Sequence, residues 1–191
     1  LSITVGQARG LLGKSAHIDT TTLSLYGDYE QPELLESTKE NKSNIAWPKQ
    51  GYAKSGRHDL KQMVLLLATT GAANFPLWME SHSGNASDQT TMPEAAVKIR
   101  RFCQGLANAP DFIYVGDSAI YANILQHSDD MFWITRAPEK IKEVSTLVST
   151  PEEDLTWIQL NNGYSYSATT SDYKGVKQRW LLFFSEAAYH R

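Results

Sequence analysis

The chain has 191 residues, enough to bury a core of ordinary size, so one domain is the first expectation. Its 41% hydrophobic and 20% charged residues exclude a disordered chain, and no apolar run approaches membrane-spanning length. The net charge of −3 points to no partner, and a free-standing nucleic-acid binder is more often basic.

The chain opens on Leu1 without a signal-peptide pattern and reads as a piece of a longer protein. HIDTTTLSLYGDYE (17–30) alternates over part of its length and reads as a strand, with Gly27-Asp28 as a turn or bulge signal. Residues 31–50 are polar, carry Pro32 and Pro48, and read as a surface loop. DLKQMVLLLATT (59–70) suits a strand buried on both faces, although a short helix has the same signature. NFPLWMESHSG (74–84) is the next strand, and Gly71-Ala72-Ala73 before it predicts a hairpin. SDQTTMPEAAVKIRRFCQGLANAP (87–110) is the clearest helix, with Pro93 and Glu94 suited to its early turns. Its Cys103 is the only cysteine, which excludes an internal disulfide and fits a cytoplasmic protein. The sequons at Asn41 and Asn85 then carry no meaning.

A strand at 112–116, a short helix near 118–127, a strand at 131–138 and a helix at 138–150 follow. From Thr156 the period returns to two: TWIQL, YSYSATT and VKQRWLLFFS are strands separated by turn residues. This order predicts an α/β fold. Its core is a mixed five-stranded sheet flanked by helices, with the first strand central and beside the fourth. The core spans 1–150, and 151–191 is a β-rich segment.

In FIYVGDSAIY (112–121) an apolar strand turns abruptly into Asp117. Asp19 lies in the first strand, so the predicted topology sets the two acids on neighbouring strands. Two buried carboxylates repel unless a cation neutralises them. Their hard oxygens suit Mg²⁺, with Mn²⁺ as a substitute, as in two-metal phosphoryl transfer. Asp117 also suits the N-cap of the next helix, and Asp19 a local bond to Thr20 or Thr21.

HIDTTTLSLYGDYE, GYAKSGRHDLKQMVLLL, PLWMESHSGNASD, FIYVGDSAIY, FWITRAPEKIKE and YKGVKQRWLLFFS occur in this order. Together they resemble the DDE transposases of the IS4 superfamily, in the IS1634-type insertion-sequence group. The resemblance runs from about residue 15 to the end. It implies an RNase H-like core followed by the start of a β-rich insertion. It also implies that Asp19 and Asp117 are the first two catalytic acids and metal ligands. The implied activity is metal-dependent phosphodiester hydrolysis and strand transfer at insertion-sequence ends. The implied partners are double-stranded DNA, as transposon ends and target, and a second copy in a homodimer, with no membrane. The implied location is the cytoplasm, at the nucleoid.

The family's third acid is a glutamate on a helix beyond the insertion, in a Tyr, Arg, Glu, Lys pattern. The chain closes on SEAAYHR, where Tyr189 and Arg191 lack that spacing and no Glu follows. Glu186 closes a strand pattern, and Glu152 and Glu153 sit in a charged loop. The third acid is therefore expected beyond Arg191, and the chain alone is expected to be inactive. The alternative is a transposase remnant that binds DNA or dimerises without cutting.

His17 shares a face with Asp19 and suits either substrate orientation or strand packing. Arg57, His58 and Lys61 suit phosphate contacts or a polar turn. Lys98, Arg100 and Arg101 suit a solvated helix face. Lys177 and Arg179 share a strand face where they can meet DNA phosphates; Trp180 suits a core. Gly116-Asp117-Ser118 also matches the GDS block of serine esterases, with Ser118 as nucleophile and His127 or His190 as base. That reading lacks the Asp-x-x-His expected near such a domain's end.

Overall fold

The computed structural model describes residues 2–29, 45–52, 56–108, 110–127 and 131–189. Most of the expected 31–50 loop, the sequon at Asn41, His190 and Arg191 lie outside them. The chain divides into two compact units, 1–136 and 137–191. The sequence reading had set its division after residue 150.

The first unit runs α1 (Ser2–Ala8), β1 (Ser15–Leu25), β2 (Lys61–Thr70), β3 (Phe75–Ser83), α2 (Asp88–Gln104), β4 (Ile113–Gly116), α3 (Tyr121–Ile124) and β5 (Trp133–Thr135). These strands form one sheet in the order β3-β2-β1-β4-β5. β1 pairs antiparallel with β2 and parallel with β4, and β4 pairs parallel with β5. The mixed five-stranded sheet flanked by helices, with β1 beside β4, agrees with the sequence reading. Helix α1 was not anticipated.

Alternation fixes what each face carries. Ala16, Ile18, Val64, Leu66, Ala68 and Tyr114 point to one face and are buried. All but Val64 pack with Ile3 of α1, Met92, Ala96 and Ile99 of α2, Ile120 just before α3 and Ile124 within it. The opposite face is apolar but open: Leu23 is 49% exposed, Leu67 37%, Met79 69% and Ile134 57%. β2 is therefore buried on one face, not on both as its continuous apolar run suggested.

Helix α2 begins at Asp88, close to the expected start at 87, and Pro93 lies inside it. Proline has no N–H to give the carbonyl four residues back. That carbonyl belongs to Gln89, and it accepts a 2.5 Å bond from Asn123 Nδ2 in α3. The defect in one helix thus anchors the next. At the other end of the sheet, buried Gln62 donates through Nε2 to the carbonyl of Gly84 at 2.7 Å. Lys49 and Gln62 exchange backbone bonds at 3.1 and 2.9 Å across the same spot. A β-carbon on Gly84 would lie 2.0 Å from the Gln62 carbonyl oxygen and 2.2 Å from that of Lys49.

The second unit holds α4 (Lys142–Val148), β6 (Trp157–Gln159), β7 (Tyr164–Tyr173), β8 (Val176–Ser185) and α5 (Glu186–Tyr189). Its strands make a separate antiparallel sheet, β6-β7-β8. The turns contain Asn162-Gly163 and Lys174-Gly175, all four at positive φ.

Gly84→Ala is expected to lower stability by about 3 kcal/mol, because backbone atoms occupy the space of the new methyl. Urea unfolding measures it, and a change below the error of the method would refute the clasp around Gln62.

Candidate functional site

The parallel pairing of β1 with β4 runs Ser15–Ile113, Ala16–Tyr114 and His17–Val115, then stops. Two residues further lie Asp19 on β1 and Asp117 just past β4. Continuing the register sets them level, with strands about 4.8 Å apart. Both residues are exposed. Asp117 sits just beyond the carboxyl end of β4, where open α/β sheets place ligands, and Asp19 lies beside it within β1.

Each carboxylate is held by one oxygen. Asp19 Oδ1 accepts from its neighbour Thr20 N–H at 2.8 Å. Asp117 Oδ1 accepts from Ala119 N–H at 2.9 Å. The local bond foreseen between Asp19 and Thr20 is present, whereas Asp117 caps a turn and not the next helix, whose N-cap is Ile120. Neither Oδ2 accepts a hydrogen bond from a described residue. Repulsion between them is weak, because exposed charges about 4 Å apart in water interact by only about 1 kcal/mol. What remains is two hard oxygen atoms facing solvent, a donor set that fits Mg²⁺ or Mn²⁺ with waters completing the shell. Among the described residues no group of three His, Cys, Asp or Glu side chains could hold a metal.

Other candidates fall elsewhere. His17 is exposed on the Asp19 face, but its Nε2 lies 2.9 Å from Ser15 Oγ, back along the strand. Arg57 donates Nε–H and an Nη2–H to Asp59 at 2.8 and 2.6 Å. That bond and the charge of Asp59 raise the Arg57 pKa, while Arg57 draws Asp59 down to about 2. Lys61 donates to the carbonyls of Asp28 and Tyr29. It pairs with Leu25, six residues along β1 from Asp19, or roughly 20 Å. The structure therefore does not gather Arg57, His58 and Lys61 around the acid pair. Lys98 is engaged by Glu80, and Arg100 lies 3.7 Å from Asp111.

In the second unit Lys177 and Arg179 are exposed on one face of β8, opposite Asp172 and Thr170 of β7. Trp180 is half-buried on the other face and donates to Gln178 Oε1. Ser118 makes no hydrogen bond with His127, so nothing described assembles an esterase pair.

Two groups escaped the sequence reading. Thr135, the last residue of β5, donates its hydroxyl to the Asp117 carbonyl. Glu80 on edge strand β3 gathers Trp78, Lys98 and His82. Its Oε1 accepts Trp78 Nε1–H at 2.8 Å, and Lys98 Nζ bonds both oxygens at 3.1 and 2.9 Å. His82 Nε2 lies 3.2 Å from Glu80 Oε2, close enough for charge attraction but not aligned as a hydrogen bond. Burial pushes the Glu80 pKa up, yet the bonds from Lys98 and Trp78 outweigh it and leave the carboxyl below its ordinary value. The spacing Trp78, Glu80, His82 on one strand face was the only sequence signal of this cluster.

No family model, curated protein or solved structure matches the chain. Among the described residues, no helix is long and apolar enough to cross a membrane.

A lowered carboxyl pKa stabilises the fold above the unfolded value, and that contribution disappears as pH falls through the folded value. Glu80→Gln is therefore expected to cost about 1 kcal/mol near neutral pH. The difference should shrink as pH drops below 4.5, the ordinary glutamate value. Urea unfolding at several pH values tests this, and a difference independent of pH would rule it out.

Proposed function

We propose that the first unit is the RNase H-like catalytic core of a DDE transposase of the IS4 superfamily, IS1634-type group, and that Asp19 and Asp117 are two of its three acids. The observation that carries the reading is their placement. They lie level by register, two residues past the last β1–β4 pair, with Asp19 inside β1 and Asp117 just past β4, each with one oxygen anchored and the other unbonded among the described residues. The six sequence blocks supply the chemistry.

Asp19 and Asp117 would hold Mg²⁺ or Mn²⁺, which would supply activation of a water or a 3′-hydroxyl and stabilisation of the leaving oxygen. Asp19 offers its ligand oxygen from within β1, where the strand is still paired with β2 through Leu67. Asp117 offers its own from a turn closed on Ala119 and Ile120. The reaction on DNA is hydrolysis at the transposon end, freeing a 3′-hydroxyl, which then displaces a 3′-oxygen of the target strand. Lys177 and Arg179 are assigned to DNA phosphates on the second unit, as the start of the β-rich insertion. The open apolar face beside Asp19 suits a covering helix of the kind that carries the third acid in the family. Double-stranded DNA, a homodimer partner and a nucleoid location belong to this same reading.

Two ligands hold a divalent ion weakly, so the chain by itself is read as a DNA-binding piece that does not cut. Mn²⁺ titration followed by electron paramagnetic resonance is expected to show weak binding that Asp19→Asn and Asp117→Asn each reduce about tenfold. In parallel, duplex DNA with Mg²⁺ or Mn²⁺ is expected to stay intact. Mn²⁺ binding indifferent to both substitutions would remove the site. Metal-dependent cutting by the unaltered chain would overturn the inert reading.

A further inference from the structure

We propose that Thr135 is a positioning residue for Asp117, acting through the backbone of the turn that presents it. This rests on the metal reading of the acid pair. Strands β4 and β5 pair through Tyr114–Trp133, Val115–Ile134 and Gly116–Thr135. There the ladder ends, and the next residue on the β4 side is Asp117. An aspartate just past a strand would ordinarily be free to swing with its loop. Here three bonds fix it.

Its side chain accepts from Ala119 N–H at 2.9 Å, and its carbonyl accepts from Ile120 N–H at 3.2 Å. Both of those donors belong to the same turn, so they shape the turn without tying it to the sheet. The third bond, from the Thr135 hydroxyl to the Asp117 carbonyl, comes from a different strand. It extends the β4–β5 ladder by one side-chain rung and keys the turn to the sheet that also carries Asp19. With the carbonyl held by Thr135 and Oδ1 by Ala119, Oδ2 keeps a fixed height relative to β1. Two ligands on different strands could share one ion only at a constant height, because a misplaced ligand loses much of its worth.

Thr135→Val removes the hydroxyl and keeps the branched shape that suits a strand. Thr135→Ser keeps the hydroxyl and loses the methyl. In the 191-residue chain, Mn²⁺ titration by electron paramagnetic resonance is expected to show Thr135→Val weakened about tenfold and Thr135→Ser close to wild type. Thermal melting is run on the same samples. A merely structural threonine would predict that both variants lose affinity in proportion to lost stability, which would overturn the proposal. So would wild-type affinity in Thr135→Val while Asp117→Asn has lost it; the metal reading would then stand alone. If the unaltered chain bound no Mn²⁺ at all, the metal reading would fail and the role of Thr135 with it.

Discussion

Strand β1 is paired along both edges, antiparallel to β2 and parallel to β4, and its pleat decides what each face of the sheet can hold. Ala16, Ile18 and Thr20 turn inward, where Thr20 Oγ1 donates to Asp88 Oδ1 in the first turn of α2 at 2.8 Å. His17, Asp19 and Thr21 turn outward. A slip of one residue would exchange these sets, burying Asp19 under α2 and exposing Ile18. The register is therefore strongly specified by the core, and the position of the acid follows from it. The site is held by hydrophobic packing on the face it does not occupy.

The turn after β4 obeys a second constraint. A β-carbon on Gly116 would stand 3.2 Å from Met92 Cε and 3.3 Å from Ile120 Cγ2. Glycine lets the strand end lie close against α2 and lets Ile120 fold back into the core. Asp117 sits between those two demands, with its side chain left in solvent. Beyond it, Asn123 fastens α3 to the carbonyl that Pro93 leaves without a helical donor. A proline inside α2 thereby helps to fix the element that follows the acid.

Much of this was legible because period and chain order carry it. The alternation of 17–25, the hairpin at Gly71 and the apolar run into Gly116 gave the strands, and the strand–helix–strand order gave β1 beside β4. Other features were not legible, for physical reasons. β2 reads as doubly buried because Met63, Leu65 and Leu67 are apolar, yet they line the open face. Composition reports hydrophobicity, not what covers it. Arg57 and Lys61 look available for phosphates in sequence, but Asp59 and the carbonyls at 28–29 already take their charge. Thr135 gave no signal, since a hydroxyl bonded to a distant carbonyl leaves no periodic trace.

The acid pair itself shows why position says more here than electrostatics. A buried pair would have demanded a cation, since removing like charges from water is costly. Asp19 and Asp117 are solvated, so the fold tolerates them with or without one. Affinity for a divalent ion must then come from geometry: oxygens held at a fixed separation, and a further ligand to displace more water. In the proposed site the strand would supply the first ligand and the keyed turn the second. The open apolar face runs from Met79 through Leu67 to Asp19 by register, and in the proposed reading it would receive the element that brings the third. Hydrophobic burial of that face would make ligand assembly and folding one event. Metal affinity and the covering of the sheet should accordingly rise together.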